Sequence, residues 1–237
     1  MNTVYWAVSN PTNQSPISKA LYTEPLKLDN KSVLPNIQFP EKHNNWKLCP
    51  AFLDGVENIY GLKFPLDLDV NISHNNIETN YDYDVSNYLI KMRDFERKFF
   101  SIGINLVFFS DSDLEMELLP PYLEDNDFIN KVVSVPGKFN IGKWLRPIDL
   151  ALVMKGNHTR LRAKRNDIFN YIRFNKPVKF VQFDYTQELN DIQKDILRSK
   201  MILGTKSPVL NYYYSLFKNS KYRHKILHLI KENILEE

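Results

Sequence analysis

The side chains of residues 66–72 change sides at every step: Leu66, Leu68, Val70 and Ile72 fall on one face, Asp67, Asp69 and Asn71 on the other. Successive strand residues point to opposite faces, so this run predicts a strand with one face buried. "LEMEL" repeats the pattern, with Leu114, Met116 and Leu118 inward and Glu115 and Glu117 outward. "INLVFFS", residues 104–110, is almost unbroken apolar sequence and predicts a strand buried on both faces. The runs "ENIYGLKF", "IDLALVM", "DIFNYIRF" and "VKFVQFDY" extend the series up to Tyr185. The short Asn-Lys-Pro link between the last two predicts a hairpin. One helix interrupts the strands: Ser86 stands as its N-cap, and Tyr88, Leu89, Met92, Phe95 and Phe99 recur at helical spacing.

Both ends differ from this middle. "TVYWAV" predicts one strand, with Val4 and Trp6 on one side and Tyr5 and Ala7 on the other. Pro11, Pro16, Pro25, Pro35 and Pro40 then break every period and hold their predecessors extended. Such a stretch makes no core alone, so it lies across its own body or a neighbour, with Trp6 and Trp46 as anchors. After Tyr185 the period becomes helical. Thr186 caps a helix with Leu189, Ile192, Ile196 and Leu197 on one face, and Ser207-Pro208 opens a second. Ser220 starts a third, whose apolar side carries Ile226, Leu227, Ile230 and Ile234. The expected architecture is mainly β with C-terminal helices. It comprises a Pro-rich arm over residues 1–45, an antiparallel β-sandwich or jelly-roll-like body over residues 46–185, and a helical segment over residues 186–237.

Composition changes this picture little. At 237 residues the chain can bury a core without a disulfide or metal staple. Its single cysteine, Cys49, excludes an intramolecular disulfide and every multi-cysteine metal site, and is expected as a small core residue. No apolar run reaches membrane-span length and the N-terminus lacks a signal pattern, so a reduced, intracellular, membrane-free product is expected.

The charge layout matters more. Residues 111–127 hold seven acids (Asp111, Asp113, Glu115, Glu117, Glu124, Asp125, Asp127) and no Lys or Arg. Residues 155–179 hold eight bases against one acid, Asp167. Such blocks read first as solvated faces or complementary neighbours within one fold.

Candidate chemistry concentrates in two lines. "PGKFNIGKWLRP" places Trp144 and Arg146 on one face of an extended chain, with Lys143 and Leu145 on the other. As a ligand or partner contact, Trp144, Arg146 and Lys143 offer an aromatic platform with adjacent cations. As a clasp, Phe139, Ile141 and Trp144 plug the end of the sandwich while Arg146 pairs with the acidic block. The clasp is the favoured reading. "HTRLRAKR" clusters Arg160, Arg162, Lys164 and Arg165, a candidate for phosphate or nucleic-acid contact; the plainer reading is a hairpin tip docked on acidic neighbours.

Other chemistries find less footing. There is no P-loop, no dinucleotide fingerprint and no nucleophile elbow. His224 and His228 have metal-ligand spacing on a helix, but without the glutamate of a zincin; His43, His74 and His158 stand alone. The carboxylates of "SDSDLEME" lack the glycine turn of a calcium loop. No catalytic residue, metal or cofactor is assigned.

Three lines, "VYW" near the start, "CPAF" from Cys49 to Phe52, and "PGKFNIGKWLRP", resemble an uncharacterised family of tailed-phage proteins. That family opens on a Tyr-Trp pair, carries a Cys-Pro-Ala step, and shows an IGKW-aromatic-RP line before two strands; a similar domain of unknown function occurs in bacterial genomes. The likeness runs from about Trp46 to Tyr185, with the N-terminal strand added, and Leu145 stands where the family has an aromatic. The resemblance implies a viral source, in infected-cell cytoplasm or virion, and carries over no activity. The expected function is a phage-encoded, non-enzymatic protein acting through protein partners or self-association, in virion assembly or host takeover. The alternatives are a jelly-roll enzyme or ligand binder with a pocket near Trp144 and Arg146, and phosphate-backbone binding through residues 160–165.

Overall fold

In the computed structural model the described residues are 1–9, 21–28, 49–73, 76–81, 89–202, 217 and 221–235, with backbone only over 197–202. In chain order the strands are β1 (Asn2–Val8), β2 (Leu26–Lys27), β3 (Ile59–Lys63), β4 (Leu68–Ile72), β5 (Ile77–Thr79), β6 (Ile90–Asp94), β7 (Phe99–Gly103) and β8 (Leu106–Ser110). They continue as β9 (Glu115–Leu119), β10 (Val132–Ser134), β11 (Gly137–Asn140), β12 (Asp149–Met154), β13 (Arg160–Ala163), β14 (Ile168–Phe174) and β15 (Val178–Gln182). The helices are α1 (Pro50–Val56), α2 (Asp127–Lys131), α3 (Gln187–Ile202) and α4 (Lys221–Glu232).

The apolar run at 104–110 becomes β8, every residue of it buried, because two cores meet across its sheet. That sheet runs β15-β1-β8, with β1 parallel to β15 and antiparallel to β8. Val4, Trp6, Val8, Leu106, Phe108, Val178 and Phe180 enter the larger core. Tyr5, Ala7, Val107, Phe109 and Phe183 enter a second core beneath the C-terminal helices, with Leu189, Ile192, Ile196, Ile226 and Ile230. Thr186 caps α3 as expected, its hydroxyl accepting the Leu189 amide.

Three antiparallel sheets complete the sandwich-like body: β10-β12-β7-β6, β11-β9-β14-β3-β2 and β13-β4-β5. All of them contribute to the larger core, as Phe100, Met116, Leu152, Leu161 and Phe174 show. The alternation read at 66–72 and 114–118 recurs as buried Leu68, Val70 and Ile72, and buried Leu114, Met116 and Leu118. A mainly β chain with antiparallel sheets and C-terminal helices is therefore what forms.

The edges of the central sheet are covered by loop backbone, which removes the open ladder an edge strand presents. Along β8, the Ile148 amide donates to the Leu106 carbonyl at 2.9 Å. Along β15, the chain after α4 returns so that Asp184 donates to Asn233 and Leu235 to Gln182.

Four local expectations are corrected. The expected helix does not run on past Leu89, itself helical: from Ile90, β6 and β7 make a hairpin turned by the polar run between them. Asp94 Oδ1 accepts the Arg97 amide, Phe95 O accepts the Lys98 amide, and Lys98 adopts φ 49°, which ends any helical path. Two short strands around such a turn reproduce helical spacing by coincidence. Second, β14 and β15 do not pair. Both edges of β14 are taken by β3 and β9, and Pro177 leads the chain into the other sheet, its carbonyl accepting the Asn2 amide. Third, Ile234 lies beyond α4, exposed and bridged to Phe183 rather than on the helix's buried side. Fourth, Cys49 is exposed ahead of α1, not in the core. The expectations for Trp46, Ser86, Tyr88, Ser207, Pro208 and Ser220, and for the Leu197 side chain, fall outside the described residues.

Because β1 is buried on both faces, truncating its largest side chain opens the main core beside strands that cannot close inward. Trp6→Ala is expected to cost about 3–5 kcal/mol, read as a lower urea midpoint at unchanged m-value.

Candidate functional site

The line 136–147 is built as a clasp. Gly137–Asn140 pairs with β9 as β11, and Ile141–Lys143 makes one 3-10 turn. Asn140 Oδ1 accepts the Gly142 amide at 2.9 Å and so sets that turn. A Cβ on Gly142 would lie 2.3 Å from the carbonyl oxygen of Ser112, so only glycine fits against that backbone. On either side of it the chain is anchored in different cores: Ile141 is fully buried in the larger one, Leu145 in the one under the helices. The Phe139 and Trp144 rings lie 4.9 Å apart, and the Arg146 guanidinium sits 5.1 Å above the Trp144 ring. Trp144 and Arg146 thus share a face, as their spacing required. The pairing with the acidic block, however, is made by Lys143 and not by Arg146: Lys143 Nζ donates to Asp113 at 2.8 Å. The reason is direction. Lys143 projects toward the 111–113 turn, while Arg146 is drawn over the indole face. The Lys143 ammonium bonded to it holds the Asp113 carboxyl below its ordinary value.

The basic line folds as the edge strand β13, whose Leu161 and Ala163 point into the core and whose Arg160 and Arg162 point out. Arg160 grips Asp69 of β4 with two bonds of 2.7 Å, and Arg162 reaches the same carboxylate at 3.2 Å. That fork-on-carboxylate geometry is the strongest form of the pair, and it holds the Asp69 carboxyl below its ordinary value. Lys164 and Arg165 form a turn in which their backbone amides donate to Asp167 and Asp67, each at 2.8 Å, and their side chains are exposed. Arg160 and Arg162 are therefore paired with Asp69, while Lys164 and Arg165 present exposed side chains on a turn whose carboxylates, Asp167 and Asp67, bind their backbone amides.

The acidic block is likewise engaged. Lys138 pairs with Glu115 at 2.9 Å and with Glu117 at 3.6 Å, and Arg173 bonds Glu117. Glu124 accepts from the fully buried Tyr171 hydroxyl at 2.9 Å, and burial raises the Tyr171 pKa. His228 lies 3.3 Å from Glu232 on α4, with His224 exposed one turn earlier. Among the described residues no group of three His, Cys, Asp or Glu side chains is arranged around one point as a metal site, and no helix is long and apolar enough to cross a membrane. His43 and His74 fall outside the described residues.

Two features escaped the sequence reading. The first is an open concavity of about 470 Å³ over the β13-β4-β5 sheet, whose lining includes Asp69, Asn71, Glu78, Asn80, Thr159 and Arg160. Its signal was the polar half of the 66–72 alternation, but β13, which supplies another wall, is far away in sequence. The second is an apolar corner. Val133 and Val135 are 50% and 42% exposed on and beside β10, an end strand of its sheet. Pro136 links it to β11, an end strand of another sheet, beside a shallow groove of about 350 Å³ over Leu118, Leu119 and Lys138. The alternation of Val133 and Val135 was visible but too short to read as a strand.

Comparison with protein-family models, with curated proteins and with solved structures finds no match for this chain.

Two outcomes follow from this geometry. Gly142→Ala forces the clasp off the Ser112 carbonyl and is expected to cost about 1–3 kcal/mol, measured by chemical denaturation. For Asp69 and Asp113 the folded carboxyl titrates below the unfolded one. Their pairs therefore stabilise the fold above the ordinary carboxylate pKa of about 3.9, and that contribution is lost as pH falls through the lower folded values. Asp69→Asn is expected to flatten this acid limb of the stability–pH curve, followed by thermal melts between neutral and acidic pH.

Proposed function

We propose that this is a phage-encoded, non-enzymatic protein that works by protein–protein contact. The observation that carries the reading is the apolar corner at β10 and β11. Natural edge strands are usually blunted by charge, proline or cover. Here one valine stands exposed on the end strand of one sheet and a second just past it, next to the end strand of another sheet. Such a corner suits an extended protein segment that adds to an edge and buries its own apolar side chains against Val133 and Val135. The charged clusters support the same reading from the other side, since their strongest members face opposite charges within the fold and offer little to an incoming anion. Backbone-directed nucleic-acid binding is correspondingly less well supported, and a pocket at Trp144 and Arg146 has a stacked ring pair and a guanidinium in its place.

The phage source, and a location in infected-cell cytoplasm or virion, rest on the resemblance of the "VYW", "CPAF" and "PGKFNIGKWLRP" lines. A virion-associated or assembly role is the first form of the proposal and a host-takeover accessory role the second.

Mass spectrometry of purified particles, together with mass measurement of the free protein in solution, tests both. Detection in particles supports the first form. Absence from particles with recovery of a specific host protein from infected cells supports the second. A strict monomer found in neither complex overturns the reading. Val133→Lys combined with Val135→Lys is expected to abolish the contact while changing stability by only about 0.5 kcal/mol per site.

A further inference from the structure

We infer that the concavity over the β13-β4-β5 sheet is a binding site for a neutral, polyhydroxylated ligand, such as one sugar unit, independent of the apolar corner. Its volume of about 470 Å³ lies within the range of small-ligand sites. Its described lining residues are all polar, which disfavours an apolar guest, and their groups are held in place before any ligand arrives. The Asp69 amide donates to Asn80 Oδ1 at 2.9 Å and the Asn80 amide to the Asp69 carbonyl at 3.1 Å, which ties the chain after β5 to β4. Asn71 Nδ2 donates to Glu78 at 3.3 Å across the β4–β5 pair, and the Ile72 amide donates to the Thr159 carbonyl at 2.7 Å.

Charge selects the class. Asp69 is held by Arg160 of the lining and, from outside it, by Arg162, while Glu78 accepts from Asn71 and Asn76, so both carboxylates among the described lining residues already have their partners. A phosphate or carboxylate would have to take Arg160 from a two-bond grip by Asp69. A cation would have to take Asp69 from both arginines or Glu78 from the Asn71 and Asn76 amides. A hydroxyl competes with neither pair. It donates to a carboxylate lone pair left over by the arginines and accepts from an amide or guanidinium N–H. Adjacent donors and acceptors on Asn71 and Glu78, and on Arg160 and Asp69, match the neighbouring hydroxyls of a sugar ring. With no aromatic platform among the described lining residues, their grip is by hydrogen bonds, so a single unit is expected to bind in the millimolar range.

The test is an NMR titration of the isotope-labelled full chain with glucose, galactose, mannose and N-acetylglucosamine, each also as a short oligosaccharide, and separately with inorganic phosphate. The expected result is saturable shifts of the Asn71 and Asn80 side-chain amides and the Arg160 Nε–H with at least one sugar, unchanged between low and high salt. Asn71→Ala, at a half-buried position, and Thr159→Val, at an exposed one, are each expected to weaken binding about tenfold, with the rest of the spectrum unchanged. Tighter binding of the oligosaccharide assigns a glycan chain as the source; equal binding assigns a free sugar. Silence toward all four sugars, phosphate binding that displaces them, or unaltered affinity in both variants overturns the site.

Discussion

One strand has to satisfy two interiors at once. β1 lies between β15 and β8, and its successive side chains alternate between the large β core and the core beneath the helices. A strand with no wet face tolerates neither register error nor a polar side chain, because a one-residue slip would exchange the two sets. Val4 and Trp6 are matched to one interior, Tyr5 and Ala7 to the other. The helices α3 and α4 pack their apolar sides on this sheet together with Leu145 of the clasp, and the loop backbone along its two edges comes from the clasp region and from the chain after α4.

Seen this way, the opposed charge blocks belong to the architecture. Glu115, Glu117 and Asp113 meet Lys138, Arg173 and Lys143 across or beside the strands that carry them. Single exposed pairs of this kind add little stability. Their effect is to disfavour wrong pairings, since a shifted β9–β11 register would set Glu115 and Glu117 away from Lys138. The same holds for Asp69 between two arginines. Beside these engaged charges, the distinctive exposed features among the described residues are a polar hollow and an apolar corner.

How much of this was legible depends on how local the cause is. Period-two alternation at 66–72 and at 114–118, and the solid apolar run of β8, identify strands and the number of buried faces, because each residue's environment is set by its own strand. Partner choice is not local. Nothing within "DIFNYIRF" says that β3 and β9 occupy both of its edges, so its short link to β15 read as a hairpin. Residues 90–99 misread for a related reason: inward positions on two strands joined by a tight polar turn fall at intervals that a helix also uses. Trp144 and Arg146 were legible as neighbours because they are two apart. Asp69 and Arg160 were not, being 91 residues apart in the chain, and the hollow they share was hidden with them.

The distance between β1 and its parallel partner has a kinetic side. Val178, which pairs with Asn2, leaves the ribosome roughly 10–30 s after it at ordinary synthesis rates. During that interval an oily strand exists without its bed. A chain built this way must either shelter its beginning with a chaperone or keep it loosely associated with β8 until the second partner emerges, and its final collapse is a late, long-range event of the kind that folds slowly.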